Sequence, residues 1–243
     1  DLHRRRHSFP TRRSSDLYLN ITAGAANFSS DVPIVLFHNF IGNTPPATTD
    51  QNGVMMVFDT KYGRATLTNP PAVTKRIGIN IRGGSTEGLG KKSFAVEAWD
   101  EFNDDASIAV LDMPAESDWV FYAPNLFDKP WIHNPFMHEL SRSINRYSPR
   151  VRMVEVFTCF NASTVSYTSP TIGHYNGIYV LTEKIKADPN RVAVPRLGPL
   201  DTNAPAITGG YVLKIDRRDA DERDLTAGNQ TMVFVEPQMK DYA

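Results

Sequence analysis

The residues with the most chemical promise lie in one stretch. Arg82-Gly83-Gly84-Ser85 opens a glycine-rich run to Gly90, and Lys91-Lys92-Ser93-Phe94 closes it. A strand, a glycine-rich loop and a second strand in this order let backbone N–H groups approach an anion closely. Arg82 at the mouth and the lysines at the exit add positive charge where a polyphosphate would need it. On the second strand Lys92 shares a face with Phe94, Val96 and Ala98, so its amine is expected in a cleft rather than in bulk water. The competing reading is an exposed hairpin carrying ordinary surface lysines. The spacing is neither a Walker loop nor the glycine-rich kinase signature. Further along, Glu183-Lys184 ends the run Ile178–Thr182, where a carboxylate can pair with a strand lysine across a sheet, as in protein kinases. A solvated Glu-Lys pair is the alternative there.

Other constellations are weaker. His133, His138 and Glu139 have the spacing H-x-x-x-x-H-E, which does not put both histidines on one helix face and is not a zinc motif. Glu139 is explained by the helix dipole, and no metal site is expected. Cys159, the one cysteine, lies in an apolar β-rich stretch and reads as an inert buried thiol. No G-x-S-x-G elbow gives serine hydrolase chemistry a foothold. Asn20, Asn27, Asn161 and Asn229 head short N-x-[ST] patterns.

The elements that must position these residues follow from hydrophobic patterning. Ile34-Val35-Leu36-Phe37 and Val54–Asp59 read as strands. Ala65–Leu67 pairs back after the Tyr62-Gly63 turn. Ile77, Ile79 and Ile81 alternate with Gly78, Asn80 and Arg82, a half-buried strand. Lys92–Trp99 forms the next strand, an antiparallel hairpin with the one before it. Asp100–Asp105 is an acidic turn. Asn134 suits a helix N-cap and Pro135 the first helical position. Phe136, Met137, Leu140 and Ile144 then make one apolar stripe, and Pro149 stops the helix. Val151–Phe160 is a strand, and so are Ile178–Leu181, after the turn pair Asn176-Gly177, and Tyr211–Asp216, after Gly209-Gly210. Strands dominate around one firm helix, so the class is α+β with a mixed or antiparallel sheet and few helices.

The chain of 243 residues is 41% hydrophobic and 22% charged, which excludes a disordered, collagen-like or coiled-coil architecture. It is long enough to bury roughly 70% of its unfolded surface. No run of about 18 apolar residues suggests a membrane span, and a single cysteine excludes a disulfide scaffold. The net charge of −1 conceals an asymmetry: residues 1–17 hold five arginines against two aspartates. That pattern invites a phosphate-binding arm, but residues 7–17 resemble a translated sequencing adaptor. Residues 1–17 are therefore expected to be extraneous and unpacked. Residues 18–31 form a poorly defined lead-in, and residues 32–243 carry the domain. No nucleic-acid partner is expected.

The body resembles the CotH kinase family, named after spore coat protein H. The likeness is carried by Ile79-Asn80-Ile81-Arg82-Gly83-Gly84-Ser85, Lys91–Glu97, Met113–Val120, Trp131-Ile132-His133-Asn134, Tyr175–Ile185 and Gly209–Asp216, in order across residues 32–240. The resemblance implies an atypical protein-kinase-like fold that binds ATP and Mg²⁺, with serine-rich protein substrates. In that picture Lys92 holds the nucleotide phosphates, Arg82 and the loop lie nearby, and Glu183 orients the lysine. The family's catalytic and metal-binding aspartates belong to Asn-x-Asp-Gly-like and Trp-Asp-x-Asp-like segments, which this sequence does not contain. Asp216 and Asp219 are not at the matching places. The resemblance therefore implies the N-terminal and central part of a kinase domain with its C-terminal part missing. Such a chain would bind nucleotide and transfer nothing by itself. The alternative is a non-catalytic surface adhesion module or structural coat component on the same fold.

Overall fold

The computed structural model describes residues 19–40, 42–84, 86–161, 164–167, 173–216, 218 and 222–238. The adaptor-like residues 1–17 and Ser85 of the glycine-rich loop lie outside them. In chain order the elements begin with α1 (Ala23–Ala26), β1 (Ser29–Ser30), β2 (Ile34–His38), β3 (Gln51–Phe58), β4 (Ala65–Thr66) and β5 (Val73–Arg82). They continue with β6 (Ser93–Ala98), β7 (Ile108–Val110), β8 (Met113–Glu116), β9 (Asp118–Tyr122) and α2 (His133–Ser143). After these come β10 (Val151–Cys159), β11 (Tyr175–Glu183), β12 (Val212–Lys214), β13 (Asp224–Ala227) and β14 (Gln230–Glu236). The fold is mostly β with few helices, within the expected class.

The described residues divide into two compact units, 19–80 with 154–178, and 81–153 with 179–238. In the first, β2 is buried along its whole length. That is what a continuous Ile-Val-Leu-Phe run requires, since it has no polar side to turn to water. It pairs antiparallel with β3, Ile34 opposite Phe58, and parallel with β10, Ile34 opposite Glu155. β3 in turn pairs antiparallel with β5. One parallel pair among antiparallel ones makes this a mixed sheet. β4 pairs with β1, Ser30 opposite Ala65, rather than with the strand before it. Ile34, Leu36, Met56, Phe58, Phe157 and Cys159 form a core against which Leu19, Ile21, Phe28 and Tyr175 pack. The Phe28 ring meets Phe157 edge-on at 5.3 Å and Tyr175 at 5.2 Å. Cys159 is buried, as an apolar stretch demands.

In the second unit β9 lies between β6 and β11, antiparallel to both. Phe94 and Leu181 both stand opposite Phe121, while Val96 and Glu183 both stand opposite Trp119. The period-2 pattern of β6 reads directly onto burial: Phe94, Val96 and Ala98 are in, and Ser93, Ala95 and Glu97 are partly out. β14 pairs antiparallel with β12 and β13, the latter through a turn containing Gly228 at φ 61°.

Four sequence expectations are corrected. The helix begins at His133, with Ile132 as an N-cap that makes no side-chain bond, so Asn134 lies inside it. Asp128 does the capping from upstream, accepting from the His133 N–H at 3.3 Å and lying 2.9 Å from its ring. The apolar stripe of α2 is not buried: Phe136, Met137, Leu140 and Ile144 are all exposed. Asn176-Gly177 is not a turn but part of β11; Gly177 takes a φ of 77° within the strand. Asn145, at φ 59°, ends the helix well before Pro149 is reached. No helix among the described residues is long and apolar enough to cross a membrane.

Phe157 is fully buried in the first unit's core and touches three other aromatic rings. Phe157→Ala should therefore lower unfolding free energy by about 3–5 kcal/mol, because the ring leaves a cavity that a close-packed core cannot refill. Urea denaturation followed by fluorescence checks this, and a loss below about 1 kcal/mol would contradict the packing described.

Candidate functional site

The loop between β5 and β6 is built around one glycine. Gly83 has φ 118°, and a Cβ there would lie 2.3 Å from Thr86 Oγ1. An L side chain would be strained by the positive φ and would also force the Thr86 hydroxyl to turn away. Beyond it the Leu89 N–H donates to the Thr86 carbonyl at 3.1 Å, and the Glu87 N–H reaches the Gly84 carbonyl at 3.4 Å. The loop is thus folded on itself by turns.

Arg82 ends β5. Neighbouring atoms desolvate its guanidinium and lower its pKa, and the carboxylate of Asp216 counters that; a guanidinium stays charged throughout. Lys92 stands just before β6, and its Nζ donates to the Glu87 carbonyl at 2.5 Å, back onto the loop. Lys91 is the more unusual of the two lysines. Its Nζ lies 4.5 Å from the centroid of the Tyr179 ring and 5.3 Å from that of Trp131. Burial pushes its pKa down to about 8, while the ring faces still favour a cation. Tyr179, almost wholly buried, donates its hydroxyl to the Lys92 carbonyl at 2.9 Å, which ties the lysine pair to β11.

Glu183 has other partners. It is 2% exposed. Its Oε1 accepts from Arg150 Nη1 at 2.9 Å and Arg191 Nη1 at 2.8 Å, and its Oε2 accepts from the Arg150 backbone N–H at 2.8 Å. The structure therefore does not join Glu183 to Lys92; it joins it to two arginines. The physical reason is burial: a carboxylate this deep needs fixed cationic donors, and Arg191, fully buried, provides one over the face of Trp119 at 5.0 Å.

Glu183 and Lys184 are also not a solvated pair. Lys184 reaches Asp118 at 2.9 Å, and Lys186 bridges Glu116 at 2.5 Å and Asp118 at 2.6 Å. Burial alone would raise the Asp118 pKa, but the two ammonium groups overcome it and hold the carboxyl below its usual range.

Sequence reasoning counted Lys91 among the exit lysines but gave the nucleotide-holding role to Lys92 alone, because the strand pattern that singled out Lys92 begins one residue later. It missed Arg150, 33 residues before Glu183, and Arg191, eight residues after it in a loop, because neither pairing follows a strand or helix period. His138 bonds Ser148 at 2.7 Å, and Glu139 pairs with Arg142 on the same helix. Among the described residues no group of three or more His, Cys, Asp or Glu side chains comes together as metal ligands.

A glycine-built loop flanked by three cations is what the CotH kinase protein family model covers in its match to residues 79–239, well over half of the chain. The chain belongs to the CotH kinase protein family. No curated protein matches it.

Two consequences can be measured. Removing the Glu183 carboxylate leaves Arg150 and the buried Arg191 without their counter-charge, so Glu183→Ala should cost about 3–5 kcal/mol in urea unfolding. A loss within the range of a surface substitution would show the pair to be solvated. The second concerns Lys91. With its folded pKa below the ordinary lysine value, protonation favours the unfolded chain, so its contribution to stability rises from about pH 8 upward. Competitive acetylation should find the Lys91 amine reacting with a midpoint near pH 8, whereas an ordinary lysine would titrate near about 10.4. A midpoint near that ordinary value would contradict its desolvation.

Proposed function

We propose that the chain binds the phosphate groups of ATP on the loop between β5 and β6, as the nucleotide-holding part of a protein kinase that phosphorylates serine-rich protein. The observation that supports this best is the family match, because it runs through the loop, both lysines and the strand of Tyr179. The residues present fit a polyphosphate. Arg82, Lys91 and Lys92 bring three cations to one glycine-built loop. Lys92 is held by the loop itself, and Lys91 sits in an environment where charge is poorly hydrated, so an incoming anion would be strongly favoured there. ATP, when bound, supplies the transferable phosphoryl group. The chain's own contribution is to orient the phosphates, to neutralise part of their charge and to exclude water through the Tyr179 and Trp131 rings beside Lys91.

No group of three or more His, Cys, Asp or Glu side chains comes together among the described residues, and this reading assigns no residue to Mg²⁺. Phosphate charge is assigned to the three cations. Glu183 has no part in orienting Lys92 in this reading; it acts as a buried anchor for β11.

One observation favours the second reading, a non-catalytic adhesion or coat module: α2 carries an apolar stripe that is left exposed.

Titration calorimetry with ATP tests the proposal. Binding should be weak in the unaltered chain. It should fall at least about tenfold in Lys92→Ala, equivalent to about 1.4 kcal/mol. Lys91→Ala should weaken binding as well, and binding to the unaltered chain should weaken as pH rises through about 8, where Lys91 loses its charge. An unaltered chain that takes up no ATP, or binding indifferent to both substitutions, would favour the adhesion module.

A further inference from the structure

A second concentration of positive charge lies in the same unit as the glycine-rich loop. The segment from the C-terminal turn of α2 to the start of β10 closes a pocket of about 400 Å³ lined by Arg142, Arg146, Tyr147, Ser148, Arg150 and Arg191. Four of these are arginines. Three are partly neutralised: Arg142 by Glu139, and Arg150 and Arg191 by the single carboxylate of Glu183. Arg146 is exposed and pairs with no carboxylate among the described residues.

Arg191 supplies the decisive detail. Its side chain is fully buried. Nη1 is used completely, donating to Glu183 Oε1 at 2.8 Å and lying 3.2 Å from the Asn190 carbonyl and 3.4 Å from that of Pro114. One face of the guanidinium is covered by the Trp119 ring at 5.0 Å. The remaining edge, Nε and Nη2, is buried and has no hydrogen-bond partner. That edge is the one that grips carboxylate and phosphate with two parallel bonds. Leaving it unsatisfied is costly, and an oxyanion satisfies both donors at once.

We propose that this pocket is a binding site for a phosphate dianion, free or carried as a monoester. The phosphate sits on the Nε/Nη2 edge of Arg191, and Arg142, Arg146 and Arg150 supply the surrounding charge. Because the edge has no accessible surface, binding includes rotation of the exposed rim side chains Arg146 and Tyr147. The neutralisation of Arg150 by Glu183 matters here, since it holds the cluster together without occupying the free edge of Arg191. The site is independent of the ATP proposal: none of its residues belongs to the loop between β5 and β6. Two sources share this chemistry, free phosphate and a phosphorylated serine on a protein chain.

The experiment is calorimetric titration of the unaltered protein with inorganic phosphate, with O-phosphoserine and with a short phosphoserine peptide, at constant ionic strength in chloride. Acetate is the control. Phosphate should bind at roughly millimolar strength or better. Arg146→Glu, an exposed change that leaves the buried network intact, should weaken it at least about tenfold. Arg191→Lys, which keeps the charge and loses the fork, should do the same; if that variant does not fold, Arg146→Glu carries the test. Lys61→Ala, at an exposed lysine that lines neither this pocket nor the loop between β5 and β6, should leave phosphate binding unchanged. A phosphopeptide that binds more tightly than inorganic phosphate identifies a protein-borne group as the source, and the reverse order identifies the free ion; either result supports the site. Absence of phosphate binding, acetate binding equally well, or loss of phosphate binding in Lys92→Ala but not in Arg146→Glu would overturn it.

Discussion

A single buried carboxylate organises the second unit. Glu183 ends β11 and stands opposite Trp119 of β9. It receives the Arg150 backbone, the Arg150 guanidinium and the Arg191 guanidinium. These contacts clamp three segments: the end of β11, the loop that follows it, and the entry to β10, 33 residues earlier in the chain. A buried charge is tolerated only when its partners are fixed in place, so the requirement propagates outward. Arg191 must be buried to meet Glu183. Once buried, it stacks on Trp119 and leaves one edge unsatisfied. The arginine-lined pocket follows from the way the carboxylate was satisfied.

The glycine-rich loop obeys a different constraint. Its shape rests on Gly83, whose positive φ would strain a side chain. Its chemistry rests on what lies beside it. Lys91 is set against the Tyr179 and Trp131 rings, and Tyr179 is tied by its hydroxyl to the neighbouring Lys92 carbonyl. Backbone geometry and aromatic burial thus act on adjacent residues to different ends. Lys92 is hydrogen-bonded to the loop, and Lys91 is desolvated. Two lysines that look equivalent as a dipeptide thus meet different surroundings.

The clamp and the loop also differ in how their charges are balanced. Around Asp118 each charge has a near neighbour of opposite sign, and the Lys184 and Lys186 ammonium groups outweigh the effect of burial on that carboxyl. Around Lys91 burial dominates and the pKa falls. The first arrangement rigidifies a strand end; the second leaves a group able to change charge near neutral pH. Membership of the CotH kinase protein family supports the functional reading proposed for the loop. The contrast between the two arrangements is the physical ground for proposing phosphate contacts there rather than at the ion pairs of Asp118.

Much of the scaffold was legible in the residues themselves. The unbroken Ile34–Phe37 run implied a strand buried on both faces, and β2 is one. Alternation in β5 and β6 predicted which side chains point inward, because the strand period is a property of the backbone. The helix was legible in existence but not in its cap or its burial: Asp128, five residues before the first helical residue, replaces the expected Asn134, and the apolar stripe faces outward. Gly177 was read as a turn because local sequence cannot distinguish a positive φ in a hairpin from one within a strand. The site was less legible than the scaffold. The loop and its cations are contiguous, so local sequence determined them. The partners of Glu183 were decided by the tertiary structure, since the pairing of a buried charge depends on which distant side chains share its low-dielectric surroundings.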